Sequence, residues 1–444
     1  MFWLSKTIHL MRRWRRRTVL LLAALGPGII TMVADNDAGG ISTYAQTGSK
    51  TGFSLLWAFI ILVPMAYYVQ EMTVRLGAVT KRGHAEAIFD GFGKFWGWFS
   101  IFDLAVINWL TLVTEYIGMT QAMRIFDIPE WVTFLGVTIL LTVIVVSGRY
   151  WTFEKITLFF CFFNLVYIPA AIWAMKTGNV NEGWVAVGKG FWPGGHTGLA
   201  GAALITLVMA NIGTTITPWQ IFFQQSAVVD KGMDIRDIRY GKIDTFVGSV
   251  TTCAVAAFII IATAGVFYYH PGGRIVVESA AQTAERMPEV MPAGTDWGQW
   301  ARLLFAIGLF DAGFLGALCI SLSTSWALGE VFGWAHSLNK SVREAPWFYV
   351  AYVVMLLLAG VVSVVSSVEV QNAVTIFVQV VAVTLLPAAL VFLILLLNDK
   401  PLMGAHVNTR WQNIANWGIV AFVITMSTLY GVSVLFPGLF GTGA

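Results

Sequence analysis

The chain has 444 residues, 57% of them hydrophobic and 11% charged, with a net charge of +3 and a mean hydropathy of +0.73. Soluble globular chains carry about 25% charged residues, so the composition excludes a soluble domain and points to an all-α polytopic membrane protein. The small positive balance offers no footprint for nucleic acid, and Cys161, Cys253 and Cys319, all inside apolar runs, make neither a disulfide framework nor a zinc site.

Residues 1–17 hold Lys6, Arg12, Arg13, Arg15, Arg16 and Arg17, a basic cytoplasmic flank that sets orientation and touches anionic lipid. Residues 18–444 follow as a single transmembrane domain. Its first span, about Thr18 to Gln46, is interrupted by Ala34-Asp35-Asn36-Asp37-Ala38-Gly39-Gly40. Two carboxylates, an amide and two glycines cannot lie in hydrocarbon as ordinary helix, so the helix breaks there. Leu20 to Val33 crosses about half a bilayer at about 1.5 Å per residue, and Ile41 to Gln46 begins the second half. A surface loop behind a signal peptide is the competing reading, but no small-residue cleavage site follows Gly26-Pro27-Gly28, and another apolar run begins almost at once.

Further apolar segments at about 53–74, 97–123, 131–147, 153–175, 199–229, 241–269, 298–326, 346–366, 370–397 and 412–436 bring the total to eleven spans. Trp57, Trp98, Trp131, Trp151 and Trp347 near segment ends fit interfacial belts. Most of the 27 Lys and Arg residues fall on the side of the N-terminus, with only Lys50, Arg124, Lys176, Lys189, Arg274, Arg286 and Arg302 opposite. That asymmetry places the N-terminus in the cytoplasm, the C-terminus outside, and the chain in the inner (plasma) membrane. The longest outside loops, about 176–198 and 270–297, are rich in Gly, Pro and polar residues and read as caps.

The sixth span repeats the oddity of the first. Leu204 to Val208 is apolar, Asn211-Ile212-Gly213-Thr214-Thr215-Ile216-Thr217-Pro218 gathers polar side chains, and an apolar-aromatic run resumes at Trp219. A plain kink, with Thr bonding its own backbone, explains such a stretch taken alone. Interruptions five helices apart suggest instead an inverted repeat of five plus five helices with a site between the breaks. Repeat one runs over about 18–176, repeat two over about 199–398, and an extra helix over about 412–436.

Lys and Arg fall at span ends (Arg75, Arg124, Arg302), whereas Asp35, Asp37, Asp103, Glu115 and Asp311 fall inside spans. A buried carboxylate without a basic partner stays protonated or takes a cation. The clustered pair Asp35 and Asp37 favours the cation. For Asp103, Glu115 and Asp311, a water-lined ion path and a structural hydrogen bond stand level. Candidate metal ligands are all oxygen: Asp35, Asn36, Asp37, Thr214, Thr217, Gln220 and, from span 10, Gln379. Such donors suit Mg²⁺, Ca²⁺ and Mn²⁺. Met209, the nearest sulfur, lies two turns before Thr217 and reads as core packing. No P-loop, His-Glu-x-x-His or Gly-x-Ser-x-Gly is present, so neither an enzyme nor a resident cofactor is expected.

The stretch from Gly26-Pro27-Gly28 through Asp37-x-Gly39 to Gln46-Thr47-Gly48 and Leu55-Leu56-Trp57 resembles the first helices of the NRAMP divalent-metal transporters, whose signature there is Asp-Pro-Gly-Asn. Glu154-Lys155, Pro218, Ile243-Asp244-Thr245-Phe246, Leu304-Phe305-Ala306-Ile307-Gly308-Leu309, Gln379 before Pro387, and Asn398-Asp399-Lys400-x-x-Met403-Gly404 extend the likeness over nearly the whole chain. There are departures. Ala38 and Gly40 stand for the family's Pro and Asn; Thr217-Pro218-Trp219 stands for Met-Pro-His; Leu112-Val113-Thr114-Glu115 stands for Asp-Leu-Ala-Glu. These changes look like the NRAMP-related magnesium transporters. The resemblance implies a LeuT-type fold with helices 1 and 6 broken, and Mg²⁺ and Mn²⁺ as transported ions, with residue roles carried over only at Asp37 and, more loosely, Gln379. The expectation is an alternating-access carrier bringing these ions into the cytoplasm without protons, as a monomer in the lipid bilayer. Its rivals are a proton-coupled Mn²⁺/Fe²⁺ importer of the family's main type and a carrier of a small organic amine held by Trp219 and the aspartates.

Overall fold

The computed structural model describes residues 26–177, 180–195, 199, 201–290 and 297–436. The basic segment 1–17 and the start of the first span, 18–25, lie outside the described residues. In chain order the helices are α1 (Pro27–Val33), α2 (Ala38–Thr51), α3 (Trp57–Thr80), α4 (His84–Phe92), α5 (Lys94–Arg124), α6 (Glu130–Val146), α7 (Tyr150–Phe163), α8 (Tyr167–Thr177), α9 (Trp184–Gly190), α10 (Gly201–Gly213), α11 (Pro218–Asp230), α12 (Ile238–Thr263), α13 (Ala280–Val290), α14 (Trp297–Phe332), α15 (Pro346–Val365), α16 (Val368–Asn398), α17 (Lys400–Met403) and α18 (Arg410–Leu435). No strand occurs among the described residues. Nine of these stretches are long and apolar enough to cross a membrane, α6 is a shorter apolar helix, and α1 with α2 forms the broken first span.

Both interruptions are real breaks with local causes. Residues 34–37 leave the helix after α1, and Asp37, in extended backbone, restarts it by accepting the Gly40 N–H at 2.6 Å. Residues 214–217 separate α10 from α11. Pro218 opens α11 at its first position, where its missing N–H is no loss, and Gln220 reaches back to the Thr217 N–H at 3.0 Å.

Helices run past the apolar segments, which changes where charges lie. Arg75 is inside α3 rather than at its end. It is buried and paired with Glu71 at 2.9 and 3.1 Å, while Lys242 also reaches Glu71 at 2.7 Å. Further carboxylates beyond the five singled out from sequence lie within the helices, among them Glu71, Glu154 and Asp244, and each of these three holds a structural partner. Asp244 on α12 accepts the N–H groups of Gly26 (3.1 Å), Gly28 (2.6 Å) and Ile29 (3.2 Å), so it caps α1. Beside it Glu154 bonds Lys231 at 2.6 Å.

The two loops read as caps contain helices. In α13 the buried positions Ala280, Ala281, Ala284 and Met287 share one stripe, with Gln282, Glu285, Arg286 and Glu289 between them. The helix lies on α2, where Ser42 accepts the Ala280 N–H at 3.2 Å.

His84 opens α4, outside the spans. It packs edge-on to Phe222 and places Nδ1 3.1 Å from Gln225 Oε1; burial holds its imidazole down at about 4. The folded state therefore resists a proton that the unfolded chain takes near pH 6.5. Stability is full above that pH and is lost as pH falls toward 4, by about 2 kcal/mol at pH 5. The drop in melting temperature of the detergent-solubilised protein between pH 7 and pH 5 should shrink in His84→Gln. An equal drop in both proteins would remove His84 as its cause.

Candidate functional site

The two breaks meet at the centre of the molecule, where Asp35, Asn36, Asp37, Thr214, Thr217, Gln220 and Gln379 are all buried. Thr217 Oγ1 donates to Asp35 Oδ1 at 2.9 Å, joining the breaks directly. Tyr44 adds a hydroxyl 3.4 Å from the Thr214 carbonyl. Asp37 uses Oδ1 to cap α2, which leaves Oδ2 without a partner; Asp35 Oδ2, Thr214 Oγ1 and both polar atoms of the Gln379 amide are likewise unpartnered. Unsatisfied buried polar atoms are rare and costly. Several oxygens left so at one place make a receptor for something that accepts lone pairs.

Two glycines let the donors close in. A Cβ on Gly39 would lie 2.1 Å from Gln379 Nε2, and one on Gly40 would lie 2.4 Å from Thr214 Oγ1. The same Gln379 presses its carbonyl on Gly213, so α16 touches both breaks. Glu115, read from sequence as part of an ion path, stands in the site wall: its Oε2 accepts the Ala38 N–H at 3.0 Å, and both it and Asp37 pack on Gly316 of α14. Two carboxylates thus meet the N-terminal end of α2, where the helix dipole favours negative charge.

Gln220 and Asn36 are hydrogen-bonded to backbone. Gln220 is engaged with the Thr217 N–H and lies 3.4 Å from the Thr31 carbonyl. Asn36 donates to the Thr252 carbonyl of α12 at 3.3 Å, although its Oδ1 is unpartnered. Asp103 is half-buried on α5, twelve residues and about 18 Å along the axis from Glu115. Asp311 faces Asn164 in span 5. Three buried polar residues beside the site are not among the sequence candidates: Tyr44, Gln70, which lies 3.4 Å from Gln220, and Asn211, which donates to Thr47 at 2.8 Å. Asn211 carried a signal in the polar run of span 6; Tyr44 and Gln70 carried none, being ordinary residues in helical stretches.

Among the described residues no three His, Cys, Asp or Glu side chains converge as a resident metal centre requires. Cys253, next to Thr252, lines an apolar cavity with Phe59 and Ala257.

The Nramp family, natural resistance-associated macrophage protein-like, matches residues 28–433. The chain belongs to the Nramp family. Among its relatives is the divalent metal cation transporter MntH of Listeria monocytogenes, 24% identical over 417 residues, covering 92% of this chain and 89% of that one. The manganese transporter of Eremococcus coleocola superposes with a TM-score of 0.76 at 20% identity, covering 94% of this chain and 87% of that one. MhsT in complex with L-phenylalanine gives a TM-score of 0.57 at 14% identity, over 93% and 97% of the two chains. These likenesses establish the LeuT-type Nramp fold, a multi-pass membrane transporter and not an enzyme.

Proposed function

We propose that this Nramp protein is an alternating-access carrier that brings Mg²⁺ and Mn²⁺ into the cytoplasm without moving protons. The carrying observation is the set of buried, unpartnered oxygens of Asp35, Asp37, Thr214 and Gln379 between the two breaks, with Thr217 at the position of the family's sulfur ligand. Hard oxygen donors and loss of the thioether favour Mg²⁺ and Mn²⁺ over softer ions. The relatives named for divalent metal and manganese agree with a divalent cargo.

The direction rests on the basic flank at the N-terminus. With that side cytoplasmic, Asp244 on Gly26, Gly28 and Ile29 together with Glu154–Lys231 form the inner closure. A cavity of about 610 Å³ lined by Gln46, Leu207, Glu278 and Ile376 lies toward the other side. An ion with six waters, at about 30 Å³ each, fits within it.

Proton coupling needs a titratable relay, and Trp219 and Leu112 stand where the family has His and Asp. The membrane potential suffices instead: a divalent ion gains about 4.6 kcal/mol across about 100 mV, roughly a thousandfold accumulation. The test uses liposomes loaded with a pH-sensitive dye and given Mg²⁺ or Mn²⁺ at fixed potential. Metal uptake without acidification is expected; acidification that disappears in Asp37→Asn would show proton symport.

A further inference from the structure

Span 5 is the third interrupted helix: a 3₁₀ turn, Asn164–Val166, separates α7 from α8. Inserted 3₁₀ turns often mark functional positions. The turn faces Asp311 of α14, where Asn164 Nδ2 lies 3.2 Å from Asp311 Oδ2. The Tyr167 hydroxyl presses on Gly308, one helical turn before Asp311, where a Cβ would lie 2.5 Å from it. Asp311, Asn164 and Tyr167 are 4%, 1% and 1% exposed, and Asp311 Oδ1, Asn164 Oδ1 and the Tyr167 hydroxyl have no hydrogen-bond partner. Among the described residues Asp311 makes no ion pair.

This place is distinct from the site between the breaks. Asp311 is five residues before Gly316, which touches Asp37; five residues advance the helix by about 7.5 Å and turn it by about 140°, to the opposite face. A single buried carboxylate among neutral oxygens needs one positive charge. A divalent ion would leave a net charge in a low-dielectric setting, and Lys and Arg do not supply the cation. We propose that Asp311, Asn164 and Tyr167 form a second cation site, between spans 5 and 8, that takes an alkali cation, Na⁺ or K⁺.

The test is thermal stability of the purified full chain, free of divalent metal, in NaCl, KCl or choline chloride at equal ionic strength. Na⁺ or K⁺ should raise the melting temperature above that in choline, saturably, and the rise should vanish in Asp311→Asn yet persist in Asp37→Asn. Tyr167→Phe keeps the ring packing and should need at least tenfold more cation for half the effect, which serves if Asp311→Asn does not fold. Equal melting in all three salts would mean that Asp311 simply holds a proton or a water, and would overturn the proposal. So would a rise lost in Asp37→Asn, which would assign the alkali cation to the site between the breaks.

Discussion

Asp37→Asn should abolish Mg²⁺ and Mn²⁺ uptake while the protein stays folded. Asn remains a good N-cap, so the bond to the Gly40 N–H survives. What disappears is one of the two carboxylates, Asp35 and Asp37, whose unpartnered oxygens form the proposed ion site. Removing one partner of a buried ion pair costs about 3–5 kcal/mol, or roughly a hundred- to several-thousandfold in binding. Asp37→Ala loses the cap as well and should melt about 1 kcal/mol less stable than Asp37→Asn with no difference in transport. Asp35→Ala should be milder, because Asp35 Oδ1 is already shared with Thr217. Tracer flux into proteoliposomes checks all three, and normal uptake by Asp37→Asn would rule out the site.

Thr217→Met should reverse the preference between hard and soft ions, raising Mn²⁺ or Cd²⁺ uptake relative to Mg²⁺ at least tenfold. The substitution removes the hydroxyl that donates to Asp35 and puts a thioether beside it. A bulkier side chain also displaces water, which Mg²⁺ gives up reluctantly. The fold should tolerate the change at a cost of about 1 kcal/mol for the lost polar cap, since Gln220 still bonds the backbone N–H at 217. Competition of unlabelled ions against Mn²⁺ flux reads the preference. The same order before and after would place Thr217 outside the site.

What the sequence by itself determined is what short-range chemistry controls. Apolar length delimits the spans, since a helix in lipid must satisfy its own backbone. The breaks at Asp35–Asp37 and Thr214–Pro218 were legible because carboxylates, glycines and Pro interrupt a helix where they stand. Oxygen-only chemistry at the breaks was legible for the same reason.

Only the tertiary structure decided which of those oxygens remain available. Gln220 looks like a ligand in sequence, yet its Oε1 accepts the nearby Thr217 N–H, whereas Asn36, held through Nδ2 on the distant Thr252 carbonyl, keeps its Oδ1 without a partner. Glu115, 77 residues from Ala38, becomes a wall of the site through the rotational phase at which α5 packs on α2 and α14. Asp244 lies 216 residues from Gly28 and caps its helix, so a carboxylate buried in one helix is satisfied by the N–H groups of another that is distant in sequence. Asp311 is turned from the breaks to Asn164 by that same phase, five residues being well short of two full helical turns. Periodicity says that such a face exists; only the packing of one helix on another says what it meets.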